Sequence, residues 1–286
     1  MNRPALSLGS RREFLQWTAA AAGAAAFSPI VSFAADADPY GGFKVGIQSY
    51  SLRGFDGKTA MQHSQKLGLK YWESFRNHIA MDTSPEKVAE VKAMLKEHGI
   101  TLLAFGVESF NENEGAARKA FDFAKAMGVM SISADPQKNK ATFDLLDKLV
   151  AEYDIAIAIH NHGPKASYDK VTDVQTWVKD RHPKIGACVD TGHYLRSDED
   201  PVEVIEKLGK RVFGVHLKDV KSLPGGGKKF TILGEGDLRL ADCLKTLKKL
   251  DYKYSLSLEY EENEKNPIAD IELCLNAVQD AVKKIG

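Results

Sequence analysis

The chain has 286 residues, with 39 Lys+Arg against 39 Asp+Glu and 43% hydrophobic residues. That length and composition suit a globular domain with an ample core, and the balanced charge argues against a nucleic-acid partner. Cys188, Cys243 and Cys274 lie far apart with no C-x-x-C pair, which argues against a disulfide framework and a cysteine zinc site.

At the N-terminus, Ser10-Arg11-Arg12-Glu13-Phe14-Leu15 precedes an Ala-rich run from Thr18 to Phe27, and Ala35-Asp36-Ala37 offers a small-residue cleavage site. A basic segment, a short apolar segment and such a site make a signal peptide, and the paired arginines mark its twin-arginine form. The expectation is therefore an exported, periplasmic protein, with a signal over residues 1–37 and one domain over 40–286. The apolar run is too short to span a bilayer, so no membrane partner is expected.

After the signal, strand-like and helix-like segments alternate. Strands are expected at Lys44–Ser49, Leu69–Glu73, Ile100–Val107, Val129–Ala134, Ile155–His160, Ile185–Asp190, Val212–His216 and Ser255–Glu259. Helices are expected between them: Gly57–Leu67 is the first, Ser84-Pro85 opens another that Gly99 ends, Asn113–Met127 closes at Gly128, and Pro267–Ile285 is the last. Runs such as Ile155-Ala156-Ile157-Ala158-Ile159 are apolar throughout, as in strands buried on both faces. Eight β/α units in about 245 residues match a single-domain (β/α)8 TIM barrel. A doubly wound open sheet has the same alternation, but no G-x-G-x-x-G or phosphate loop supports a nucleotide-binding version. Gly225-Gly226-Gly227, with Lys228 and Lys229 after it, reads as a flexible lid or loop rather than a phosphate cradle.

In such a barrel the active site lies at the C-terminal strand ends. Strand two ends in Glu73 and strand three in Glu108, and strands five to eight end His160-Asn161-His162-Gly163, Asp190-Thr191-Gly192-His193, His216-Leu217-Lys218-Asp219 and Glu259-Tyr260-Glu261. Imidazoles and carboxylates converging from neighbouring strands supply what a divalent cation needs. Strand alternation points His160 and His162 the same way, and likewise His216 with Lys218 and Glu259 with Glu261, so one of each pair can bind metal while the other faces substrate.

The combination of these four strand ends resembles the xylose isomerase-like TIM-barrel superfamily, in its sugar phosphate isomerase/epimerase branch, from Val45 to the last helix. The resemblance implies one divalent metal ion (Mn, Zn, Co or Mg) held by His160, Asp190, His216 and Glu259. In the family's epimerases the strand-five position is a Glu, which with the strand-eight Glu shuttles a proton beside a carbonyl. Here that position is His160, giving two imidazoles and two carboxylates, a set that leans toward transition metals. A metal-bound imidazole has no free lone pair, so the two-glutamate mechanism does not carry over directly.

The expected substrate is a small, non-phosphorylated sugar or keto-sugar, since no arginine cluster forms a phosphate clamp. The main reading is a metal-dependent isomerase or epimerase acting through an enediolate. The alternative is a metal-dependent lyase or dehydratase that eliminates from a keto-sugar or keto-glycoside, and a non-catalytic sugar-binding barrel is a third reading. Glu259 is the first candidate base, with Glu261 placed to raise its pKa. His162, Glu108 or Lys218 is the second proton-transfer group, and His193, Glu73, Glu108 and Arg53 are the candidate substrate contacts. Trp72 and Phe75 flank Glu73, where aromatic rings can pack on a sugar. The superfamily's apurinic endonucleases carry an Asp-x-His after strand seven that Ser222–Thr231 lacks. Homo-oligomerisation is left open.

Overall fold

The computed structural model describes residues 38–286. The expected export signal, residues 1–37, lies outside the described residues. Eight parallel strands close into a barrel: β1 (Lys44–Gln48), β2 (Tyr71–Ser74), β3 (Thr101–Phe110), β4 (Ser131–Pro136), β5 (Ala156–His160), β6 (Ile185–Asp190), β7 (Val212–Leu217) and, after an inserted hairpin of β8 (Asp219–Ser222) and β9 (Lys228–Thr231), β10 (Ser255–Leu258). Outside them lie α1 (Gly57–Lys66), α2 (Pro85–Glu97), α3 (Glu114–Met127), α4 (Lys140–Tyr153), α5 (Val171–Val178), α6 (Thr191–Arg196), α7 (Pro201–Leu208), α8 (Leu240–Lys249) and α9 (Ile268–Ile285). The β10–β1 pairing, Lys44 opposite Ser255 through Ile47 opposite Leu258, closes the ring and excludes the open doubly wound sheet. No helix among the described residues is long and apolar enough to cross a membrane.

Local chemistry explains the boundaries. Pro85 opens α2 after Ser84, and the Asn113 side chain accepts from the Ala116 amide before α3, which stops at Gly128 in a left-handed conformation. β2 begins at Tyr71, later than expected, because the Leu69 amide still bonds to the Ser64 carbonyl at the end of α1. β3 runs on to Phe110, beyond the expected Val107: its register with β4 breaks between Phe105 and Glu108, then resumes from Glu108 opposite Ala134. The glycine-rich stretch is no loose loop. It turns an antiparallel hairpin in which Asp219 faces Thr231 and Val220 faces Phe230. Asp219 anchors that hairpin by accepting from the amides of Val220, Gly234, Gly236 and Leu238.

The main apolar core lies between strands and helices, where Ile47, Trp72, Ile132, Ile157, Ile159, Val189, Val215 and Leu258 meet Met61, Phe121, Leu146, Val174, Ile205, Leu244 and Val278. The lumen is different. The Ser133 and Ser257 hydroxyls both donate to Glu73, from strands that are not neighbours of β2, so these bonds cross the barrel interior.

Candidate metal centre

At the C-terminal mouth, His160, Asp190, His216 and Glu259 each present one ligand atom, and the four atoms lie within 4.8 Å of one another. His160 Nε2 stands 3.1 Å from His216 Nδ1 and 3.4 Å from Asp190 Oδ2, and His216 Nδ1 stands 3.1 Å from Glu259 Oε2. Tetrahedral ligands about 2.1 Å from a zinc-like ion stand roughly 3.4 Å apart, so these spacings fit one ion. Asp190 Oδ2 and Glu259 Oε2 are buried without a well-aligned hydrogen bond and are compensated by the charge of Lys218, whose Nζ lies 3.0 and 2.8 Å from them. Two imidazoles and two carboxylates at this spacing are a donor set that fits a divalent metal.

Each motif has a structural job around that cluster. The Asn161 side chain accepts from the Asp190 amide at 2.8 Å and donates to its carbonyl at 3.1 Å, locking the ends of β5 and β6 together. Asp190 caps α6 by accepting from the His193 amide through Oδ1, which leaves Oδ2 for the cluster. Thr191 accepts from the Lys218 amide at 2.9 Å and donates to the Lys218 carbonyl at 2.6 Å. A side chain at Gly192 would meet Lys218 Cγ at 2.7 Å, so only glycine lets this lysine pass.

Lys218 is buried, with Nζ 3.0 Å from Asp190 Oδ2 and 2.8 Å from Glu259 Oε2, and it also pairs with Glu261. Burial opposes its charge, but the three carboxylates outweigh that and raise its pKa above the ordinary lysine range. Burial likewise opposes ionisation of Glu259, yet Lys218 and His216 hold its carboxyl well below the usual carboxylate range. This corrects the expectation that Glu261 raises the pKa of Glu259: Lys218 stands against both carboxylates and reverses the sign. Glu259 is a strongly ionised group, suited to holding a cation and poorly suited to taking a proton.

The cluster opens into a cavity of about 530 Å³ whose walls include His160, His162, His193, Lys218, Glu259 and Glu261, together with Gln48, Tyr50, Phe75, Arg76 and Asn77. His162 is pushed down to about 4 by burial and by His160. Burial, with Lys218 adding to it, pushes His193 down to about 3. Both imidazoles are thus neutral at neutral pH.

Three expected substrate contacts sit elsewhere. Glu73 is fully buried beneath the cluster, where Oε1 lies 3.0 Å from His216 Nε2; it supports a ligand instead of lining the wall. Burial acts to raise its pKa, but His216 and the Ser133 and Ser257 hydroxyls prevail and lower it. Arg53 is turned away, its guanidinium donating to the Glu261 carbonyl at 2.6 Å, pairing with Glu264 at 3.3 Å and lying over the Tyr50 ring. Glu108 is buried and bound to Arg76, and burial raises its pKa despite that partner. The wall arginine is Arg76, three residues beyond Glu73. The one sequence signal for Arg76 is its place just past the end of β2. Phe75 lines the cavity, whereas Trp72 packs in the outer core with Nε1 donating to Ser64.

Comparison with known proteins places this geometry in context. Residues 61–277 match the family of xylose isomerase-like TIM barrels. An inosose dehydratase from Clostridium botulinum (strain Eklund 17B) is 28% identical over 135 residues, covering 41% of this chain and 44% of the relative. The chain thus spans less than half the length of that relative. An uncharacterized protein of solved structure from Parabacteroides distasonis is 29% identical, with a TM-score of 0.66, over 83% of this chain and 98% of the other. The solved IolI protein, whose structure holds a zinc atom, is 19% identical with a TM-score of 0.66, over 85% of this chain and 99% of that one, and shares the fold.

Proposed function

The chain belongs to the xylose isomerase-like TIM barrel family, and from that premise we propose that it is a metal-dependent lyase that removes water, or another β-leaving group, from a cyclic keto-sugar. The observation that carries this reading is the pairing of one ionised carboxylate, Glu259, with two neutral imidazoles, His162 and His193, around a centre whose strand-five ligand is His160. Epimerisation by two bases needs a proton acceptor on each face of the substrate carbon. Glu259 is held ionised by Lys218 and His216, and His160 stands in the ligand cluster where a glutamate base would be needed, so a pair of glutamate bases is not assembled. The similarity to inosose dehydratase points the same way.

His160, Asp190, His216 and Glu259 would hold the ion, which supplies Lewis-acid polarisation of the substrate carbonyl. His162, unprotonated at neutral pH, accepts the proton from the carbon beside the carbonyl. The imidazolium so formed is a ready acid, and it returns the proton to the leaving oxygen as the carbon–oxygen bond breaks, releasing water. Lys218, held charged by its three carboxylates, stays an ammonium that faces negative charge developing on substrate oxygen. Tyr50 and Phe75, ring centroids 5.4 Å apart, give the ring an apolar surface. The balance of imidazole and carboxylate donors favours a transition-metal ion.

The test is incubation of the metal-loaded protein with a panel of inososes and other cyclic keto-sugars, read by mass and NMR. A product lighter by one water, or a released leaving group, is expected, and His162→Asn should abolish it while still binding metal. A product isomeric with its substrate would overturn the lyase reading in favour of the isomerase or epimerase one.

A further inference from the structure

Helix α6 places His193 and Arg196 one turn apart on the same face, and Arg196 Nη1 lies 3.1 Å from His193 Nδ1. A guanidinium has donors only, so the ring nitrogen it meets must be the acceptor. A doubly protonated imidazole there would set two cations in contact. The single ring proton therefore resides on Nε2, the nitrogen to which no group among the described residues hydrogen-bonds, on a side chain that lines the cavity.

Arg196 is held in place from two sides. The Phe230 ring, carried by the β8–β9 hairpin, has its centroid 5.2 Å from the guanidinium carbon and 5.6 Å from the His193 ring, which it meets edge-on. On another side a side chain at Gly163 would come within 2.8 Å of Arg196 Nη1, so the glycine after His162 leaves the guanidinium its space.

We propose that Arg196 is a positioning residue that fixes His193 as an Nε2–H donor to a substrate oxygen, a role that rests on the lyase reading of the same cavity. The only lone pair on the ring faces Arg196, so His193 donates a hydrogen bond and accepts no proton from carbon. That task is left to His162. The two imidazoles, ring centroids 5.7 Å apart, thus have different duties although both line one cavity.

The experiment uses the full chain loaded with zinc, which is diamagnetic, with 15N-labelled imidazoles observed by two-bond proton–nitrogen correlation. The His193 pattern is assigned by its disappearance in His193→Gln. Wild type should show an acceptor-type Nδ1 and a protonated Nε2. In Arg196→Met the share of Nδ1-protonated ring should rise several-fold, whereas Arg196→Lys, whose ammonium also only donates, should keep the wild-type pattern. A wild-type His193 protonated on Nδ1, or an Arg196→Met spectrum with an unchanged tautomer ratio, would overturn the proposal. Should Arg196→Met not fold, the wild-type tautomer decides by itself. Because the readout is independent of turnover, an absence of lyase activity alongside the expected tautomers would sink the functional reading and leave the positioning role standing.

Discussion

The two sides of the barrel strands are built from opposite materials. Ile157 and Ile159 of β5 face the helices in a continuous aliphatic layer, while His160 at the end of the same strand turns inward to the cluster. Inside, Glu73 is shared by Ser133, Ser257 and His216, and Ser255 bonds to Ser257. Barrel interiors are commonly filled by bulky branched side chains, and this one is polar beneath its site. The outer layer gains free energy from apolar area removed from water. The lumen gives up part of that gain to seat charged groups, and only its mutual hydrogen bonds make the burial tolerable. Stability and function are thereby separated by the thickness of one strand.

That separation can be broken from either side. The largest effect should come from the lumen: His216→Ala removes a ligand, and metal affinity by calorimetry should fall by more than the roughly 100-fold that loss of a supporting partner costs. Turnover should vanish while the metal-free fold persists. In the outer layer, Leu146→Ala should cost about 2–5 kcal/mol of unfolding free energy in denaturant titrations, with unchanged metal affinity per folded molecule. Equal loss of affinity in both variants would erase the distinction.

A smaller effect is expected at Glu73, which touches the outer nitrogen of His216. Glu73→Gln should lower metal affinity by roughly 10–100-fold and shift the visible spectrum of a cobalt-loaded sample, because the ligand is reoriented and its basicity falls. The smallest is a pH effect on the metal-free protein. His162 and His193 are held below the ordinary 6.5, at about 4 and about 3. Below pH 6.5 the unfolded chain binds protons that the folded one refuses, so stability should fall with pH from there down to about pH 4, by at most about 1.4 kcal/mol per unit per histidine. His162→Asn should flatten that slope, and an unchanged slope would place the titration elsewhere.

Residue by residue, legibility followed the type of physics involved. Ligand chemistry at consecutive strand ends is local in sequence and marked the region, the family resemblance singled out His160, Asp190, His216 and Glu259 within it, and their ligand atoms lie within 4.8 Å of one another. Glu73 was recognised as a strand-end carboxylate, but its depth along the barrel axis depends on strand tilt and register, which no single segment encodes. Arg53 and Arg76 both follow strand ends; which of them faces the cavity was settled by Glu261 and Glu264 capturing the first. The hairpin is not legible locally, because its glycine run resembles a loop and its anchoring depends on Asp219 gathering, besides the adjacent Val220 amide, the remote amides of Gly234, Gly236 and Leu238.

By itself, the sequence determined the barrel's alternation of strands and helices, the strand-end positions of the four candidate ligands and the shared direction of residues two apart, because these follow from backbone periodicity and hydrophobic pattern. Only the tertiary structure decided the charge states and the partners. The low pKa of Glu259 and the support of His216 by Glu73 arise where strands remote in sequence meet at distances of a few ångströms, and the contact of Arg196 with His193 is held by the Phe230 ring of a remote hairpin; electrostatic and hydrogen-bond energies depend steeply on such distances, on angle and on burial.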